Sequence, residues 1–378
     1  MEAIVQKLVA LIEQHGWAAK FKQALDLAAS HDVPSIAGIR TLDDYLQFID
    51  AMVRWAPRES GDSRLVHDKL VEFYFLLDQA PLRALQSPIA PNANRTQPTG
   101  CLTPLSQWIK HYAIAWGSYL DTTESAAHID SFRTDPVFRW NDYMPPPSGY
   151  LTFNQFFARH ARPGMRPIAA IGDASIVVSP ADANFIGAWP IAADSTILAD
   201  DAAIDIKGMQ WSVHQLLEGS DHADRFSGGT FTHCALRTYD YHRWHAPVPG
   251  RVIEARIIQG QAFLDVVAQP GMVDGKRRNV LRAIEGTGYQ FVQTRGLVVI
   301  ESPIGLVACL PVGMAQVSSV VITAAVGATL HKGEEMGYFQ FGGSDFVMVF
   351  ERASNVELTC RADAHYVQGS VIGHCHRP

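Results

Sequence analysis

The sequence predicts an α+β protein, a helical N-terminal domain followed by a β-rich, mostly antiparallel domain. Three observations carry that prediction. Apolar residues recur at helical spacing before about residue 145, they shift toward a period of two after it, and a proline-rich connector separates the two regimes. The chain has 378 residues, 47% hydrophobic and 18% charged, enough to bury a large core in two or three domains.

The first residues, Met1 to Lys7, read as the start of an amphipathic helix rather than a signal peptide. From Leu42 to Trp55, Leu42, Tyr45, Leu46, Ile49, Met52 and Val53 fall three and four apart and form one apolar stripe. Leu65 to Leu77 and the aromatic-rich Leu105 to Leu120 behave the same way. Between them, Ser87 to Gly100 is polar and breaker-rich, a loop. Met144 to Gly149 holds three consecutive prolines and is a stiff connector, which sets the domains at 1–148 and 149–378. Beyond it, Arg251 to Ile257 and Phe346 to Phe350 are short and rich in β-branched or aromatic residues, as strands are. Pro247 to Gly260 and Val326 to Gly343 look like two related halves, each a strand, a glycine turn and a strand.

Charge and cysteine content narrow the function classes. A formal charge of −7 without a dense Lys/Arg patch argues against nucleic acid or an anionic membrane surface as partner. No run of about 18 apolar residues offers a membrane span. Five scattered cysteines without a C-x-x-C pair argue against a disulfide framework or a zinc ribbon. A cytoplasmic protein without a metal site is the expectation. His374-Cys375-His376 carries donor atoms, yet a frayed terminus is the simpler reading.

One segment stands out: Lys332-Gly333-Glu334-Glu335-Met336-Gly337-Tyr338-Phe339-Gln340-Phe341-Gly342-Gly343-Ser344-Asp345. A Gly-Gly-Ser between apolar strands is by itself ordinary turn chemistry. Three further segments accompany it, in order. They are Phe153-Asn154-Gln155-Phe156-Phe157-Ala158-Arg159 leading into Arg162-Pro163-Gly164-Met165-Arg166-Pro167-Ile168, then Val178-Ser179-Pro180-Ala181-Asp182-Ala183, then Asp240-Tyr241-His242-Arg243-Trp244-His245-Ala246-Pro247-Val248-Pro249-Gly250. Together they resemble the motifs of the phosphatidylserine decarboxylases and their soluble relatives, over the whole C-terminal half. Two departures are Ala183, where that family usually has glycine, and Asp345, where it usually has serine or threonine.

The resemblance implies a proenzyme that cuts its own backbone between Gly343 and Ser344. The glycines leave the backbone free to deform and the Gly343 carbonyl open to attack by the Ser344 hydroxyl. Acyl shift, β-elimination and hydrolysis would then turn Ser344 into a pyruvoyl cofactor on the new chain 344–378, which stays bound non-covalently. His245, oriented by Asp182, is the implied base in a Ser-His-Asp arrangement. Without the motif context, a histidine beside strands is more often merely hydrogen-bonded, and an Asp after Ser-Pro is often a turn former. The cofactor ketone would condense with a substrate α-amine as a Schiff base and accept the electrons left by departing CO₂. His242 is the candidate proton donor, provided a turn or bulge brings it to the face that His245 shares, because strand residues three apart point to opposite sides. Lys332 on a turn also invites a lipoyl-carrier reading, which its place inside this motif disfavours.

The helical N-terminal domain and Trp244 within D-Y-H-R-W-H resemble the soluble branch, to which fungal tryptophan decarboxylases belong. The expected substrate is therefore a small molecule, a free aromatic amino acid with tryptophan first. Phosphatidylserine is the alternative. A scaffold that keeps the fold without being processed is the alternative of another class, with Asp345 and Ala183 in its favour.

Overall fold

The computed structural model describes residues 1–61, 64–89, 102–199, 202–203, 205–206, 209–273, 275–284, 292–315, 319–341 and 343–376. Most of the breaker-rich loop before Leu105, and Gly342 in the Gly-Gly-Ser segment, lie outside the described residues.

Among the described residues, five long helices come first: α1 (Ala3–His15), α2 (Ala18–Ser30), α3 (Leu42–Val53), α4 (Leu65–Leu77) and α5 (Pro104–Leu120). The apolar stripe from Leu42 becomes α3, started by a capping box in which Thr41 and Asp44 satisfy each other's backbone N–H. Thr103 caps α5, and Pro104 occupies its first turn, where no N–H partner is lost. The aromatic content of α5 organises this half. Trp108 Nε1 donates to the Ile4 carbonyl at 2.8 Å and the Tyr112 hydroxyl to the Ile49 carbonyl at 2.7 Å, so α5 ties down both α1 and α3.

The connector is pinned at its start. Strand β1 (Tyr143–Met144) pairs with β2 (His160–Ala161), and the short helix α6 (Phe153–Phe157) lies between them. The later strands are β3 (Ile176–Val178), β4 (Ala183–Pro190), β5 (Thr230–Leu236), β6 (Arg243–His245), β7 (Gly250–Ile258), β8 (Val266–Val273), β9 (Lys276–Ala283), β10 (Arg295–Ser302), β11 (Gly305–Met314), β12 (Val320–Ile322), β13 (Thr329–Leu330), β14 (Glu335–Phe339), β15 (Gly343–Phe350), β16 (Val356–Leu358), β17 (His365–Tyr366) and β18 (Val371–Cys375). Eight build the main sheet in the order β13-β7-β10-β11-β15-β5-β4-β17, every neighbouring pair antiparallel. β15 sits in its middle, and Phe346 to Phe350 are wholly buried, which is why that stretch is a continuous apolar run instead of an alternating one. A three-stranded sheet, β6-β14-β12, carries the histidine motif, and one hydrophobic cluster runs through both halves of the chain.

Two sequence expectations change here. Pro247 to Gly260 is not a strand-turn-strand unit but one long strand, β7, whose start pairs with β13 of the supposed second copy. The His374-Cys375-His376 segment is not frayed: His374 and Cys375 end β18, held between β16 and β3, and His376 contacts Glu357. The β-branched Val371 and Ile372, with the paired Gly373 after them, extend the strand nearly to the chain end.

Candidate active site

Ser344 opens the central strand. It faces Gly313 of β11 on one side and Leu236 of β5 on the other, and it is 2% exposed. Among the described residues its hydroxyl has no hydrogen-bond partner, an unfavourable condition for a buried polar atom. The approach to it is fixed from the helical half. Phe341 meets Trp116 of α5 edge-on at 4.9 Å and also packs on Phe153 and Phe157 of α6. Asn154 Oδ1 accepts from the Phe341 N–H at 3.3 Å, while Asn154 Nδ2 donates to the Gly117 carbonyl and to Asp121. The Phe-Asn-Gln-Phe-Phe motif thus grips the chain just before the Gly-Gly-Ser segment.

The motif histidines occupy different environments. His242 is fully buried, its ring stacked on Phe157 at 3.8 Å and edge-on to Phe339, with neither ring nitrogen bonded. Burial pushes its pKa well below the usual imidazole range, so the ring is neutral. His245 is also held low, chiefly by burial. Its Nδ1 lies 2.9 Å from the Gly333 carbonyl, which requires a proton there, and leaves Nε2 as the acceptor 3.3 Å from the Tyr241 hydroxyl. The irregularity anticipated between the two histidines is present. Trp244 pairs with Gly337 and His245 with Glu335, a register shift in the ladder between β6 and β14.

Asp182 is close to this group without bonding to either histidine. Its carboxylate takes Arg166 Nε at 2.8 Å and Nη2 at 2.6 Å, and the Gln368 backbone N–H at 2.8 Å. The backbone N–H of His245 donates to the Pro180 carbonyl at 2.8 Å, so the Asp182 loop and His245 are neighbours, and the Asp182 charge acts on the imidazole from a distance. The structure therefore brings Asp182 and His245 into one neighbourhood but joins neither of them to Ser344 by a hydrogen bond. The orienting partner of His245 is the Gly333 carbonyl, and the partner of Asp182 is Arg166. Arg166 stands inside the first motif, where its sequence position assigns it no role, although a buried carboxylate needs a cation beside it. Lys332 is similarly committed, donating from Nζ to the Ala170 and Asp173 carbonyls, an anchor and not a carrier.

A cavity of about 540 Å³ opens on Ser344. Asp345 and His233 line it beside Ser344; Leu236, Leu264 and Met314 give it apolar walls; Arg64, Arg237 and Arg282 bring positive charge. His67 and Leu70 of α4 also reach it, so both halves of the chain form the chamber. His242 and His245 are not among its walls. His233 carried no usable signal in the sequence, because a histidine within Phe-Thr-His-Cys-Ala-Leu reads as a core residue.

Known proteins resemble this chain over the half that carries the motifs. A model of the family described as phosphatidylserine decarboxylase matches residues 153–374. Phosphatidylserine decarboxylase proenzyme 3 of Schizosaccharomyces pombe is 32% identical over 245 residues, 64% of this chain and 23% of that protein. Decarboxylase iboD of Amanita muscaria is 30% identical over 269 residues, 62% of this chain and 74% of that one. The phosphatidylserine decarboxylase proenzyme of Fusobacterium nucleatum is 29% identical over 248 residues, 66% of this chain and 73% of that one. The matched part is thus under a quarter of the length of the fission yeast relative, and about three quarters of the length of the other two.

Proposed function

The chain belongs to the phosphatidylserine decarboxylase family, and we propose that it is a self-processing carboxy-lyase of free aromatic amino acids, tryptophan to tryptamine first, with a pyruvoyl group made from Ser344. One observation carries this reading: the buried hydroxyl of Ser344, unpartnered among the described residues, lines a chamber of about 540 Å³ directly after the two glycines. A pyruvoyl group at that position fits, because it replaces an orphaned hydroxyl with a ketone open to the chamber.

In the first step Ser344 Oγ attacks the Gly343 carbonyl carbon. The Gly343–Ser344 amide C–N bond breaks, an ester forms, and the hydroxyl proton leaves to a base as the amide nitrogen gains one. His245 is the proposed base. It is neutral, and its Nε2 lone pair is directed at a hydroxyl already, that of Tyr241. Asp182, held by Arg166, supports the imidazolium by its charge instead of by contact. When formed, the pyruvoyl group supplies a ketone that takes the substrate amine and accepts the electron pair released with CO₂. His242 is the proposed proton donor to the substrate carbon, a role that requires its ring to move to the chamber, whose walls it does not line. Being neutral, it acts only after taking up a proton, and its low pKa then makes it a strong acid.

The chamber supports the substrate class. Leu236, Leu264 and Met314 suit an aromatic side chain, whose burial contributes about 2–4 kcal/mol at roughly 25 cal/mol per Å². The arginines suit the carboxylate. The reading also places the protein in the cytoplasm, with no membrane insertion; among the described residues no helix is long and apolar enough to cross a membrane. A second reading, phosphatidylserine as substrate, is favoured by the same three arginines, which would equally bind a phosphodiester. CO₂ release from an amino-acid panel and from phosphatidylserine vesicles separates the two: tryptamine from tryptophan supports the first, and ethanolamine lipid alone rejects it. An unprocessed scaffold would give neither product and would run as one chain.

A further inference from the structure

Asp345 departs from the residue expected after the cut serine, and the structure shows where it goes. Its carboxylate is buried, and His233 Nε2 of the neighbouring strand lies 3.0 Å from Oδ2. The ladder accounts for the meeting. Asp345 pairs with Ala235, and His233, two residues away on β5, shares that face. Both residues line the chamber together with Ser344.

The pair is incomplete. A carboxylate oxygen can only accept, and an imidazole nitrogen accepts wherever it carries no proton, so the pair offers acceptors to the chamber. Among the described residues Nδ1 has no partner, and the contact between Nε2 and Oδ2 is too poorly aligned to satisfy either atom. Buried polar atoms in a cavity wall call for a partner, and the described residues do not supply one. Of the groups on an amino-acid substrate, the α-amine is engaged at the ketone made from Ser344, and the carboxylate would be repelled by Asp345. The side chain remains.

We propose that His233 and Asp345 are the specificity site of this enzyme and hold a hydrogen-bond donor, a ring N–H or O–H, on the substrate side chain. This rests on the pyruvoyl reading and narrows its substrate class. An indole N–H satisfies the pair. A same-sized ring without a donor leaves it unpaired. A phosphatidylserine headgroup, whose serine oxygen is esterified, brings no donor and adds a phosphodiester charge that Asp345 repels.

The test uses the full-length processed protein and two amines of one shape, tryptamine and 2-(benzothiophen-3-yl)ethylamine, in which sulfur replaces the N–H. Each is fixed onto the ketone by cyanoborohydride, which reduces the carbon–nitrogen double bond, and the C-terminal fragment is weighed. Tryptamine should be captured at least about tenfold better, with the matching preference in kcat/KM for tryptophan over benzothienylalanine. His233→Leu should bring that ratio to about one. Asp345→Asn, a smaller change that keeps the volume, should shrink the ratio in the same direction. Equal capture of the two amines by the unmodified protein overturns the proposal, as does turnover of phosphatidylserine vesicles alone. A fragment without the ketone mass instead overturns the pyruvoyl reading beneath it, so the two failures are distinguishable.

Discussion

At the scale of single residues, the chemistry turns on which protons are where. Neutral His245 is the form that can accept the Ser344 proton, and burial keeps it neutral below the ordinary value of 6.5. Processing of freshly folded precursor should therefore run at constant rate from pH 8 down to about 6.5 and slow only below that, followed by gel or mass. His245→Ala should leave precursor uncut. Asp182 needs a double variant, because its carboxylate also neutralises buried Arg166. Asp182→Asn should lower stability by about 2 kcal/mol as well as slow processing, since it weakens charge-assisted bonds to buried Arg166 and leaves Asp142 as that cation's remaining carboxylate. Adding Arg166→Gln should restore most of the stability, measured by urea denaturation. If processing returns with it, Asp182 has no part in the chemistry beyond folding. The four proposed residues Asp182, His242, His245 and Ser344 stand out in the sequence only through its resemblance to the family's motifs. Arg166, Tyr241 and the Gly333 carbonyl as their actual partners do not, because hydrogen bonds between distant segments leave no local pattern. His233 was invisible for the opposite reason, a polar residue placed within an apolar strand.

At the scale of elements, α3, α4 and α5 were legible nearly to the residue, since α3 and α5 bury an apolar stripe at helical spacing and α4 is a mostly apolar run buried on all sides from Leu70 to Leu77. The sheet was legible as strands but not as an order, because pairing between distant strands depends on the whole set. The join between the halves illustrates this. Asp78, just past the end of α4, accepts from the Val266 N–H at 2.8 Å, where β8 begins, and pairs with Arg83 at 2.8 Å. Burial pushes its pKa up to about 8, against the opposing pull of Arg83. The folded protein therefore holds a proton that the unfolded chain releases above 3.8, and stability from this site falls as pH rises from there toward 8. Urea midpoints at pH 5 and pH 8 should differ more for the wild type than for Asp78→Asn, which keeps an acceptor for Val266 and cannot ionise. An unchanged difference would show that Asp78 is ionised in both states.

At the scale of the whole molecule, the helical half does two things for the β-rich half: it holds Phe341 ahead of the Gly343–Ser344 bond and closes one side of the chamber through Arg64, His67 and Leu70. The sequence showed that a helical domain precedes the motifs, but a chamber formed between two halves has no signature in either. The same architecture would govern the state of the protein after the proposed cleavage. The new chain would begin with β15, flanked on both sides by strands of the larger chain, and would end with β18, held between β16 and β3. Its strands remain paired after the cut, so the two chains should co-elute on gel filtration and separate only on denaturation. The most direct measurement is the intact mass of the purified, denatured protein, together with that of Ser344→Ala. Self-processing predicts a fragment Ser344–Pro378 whose first residue is a pyruvoyl group without a free amine, and a single uncut chain from the variant. One full-length mass from folded wild-type protein that releases CO₂ from tryptophan would contradict it.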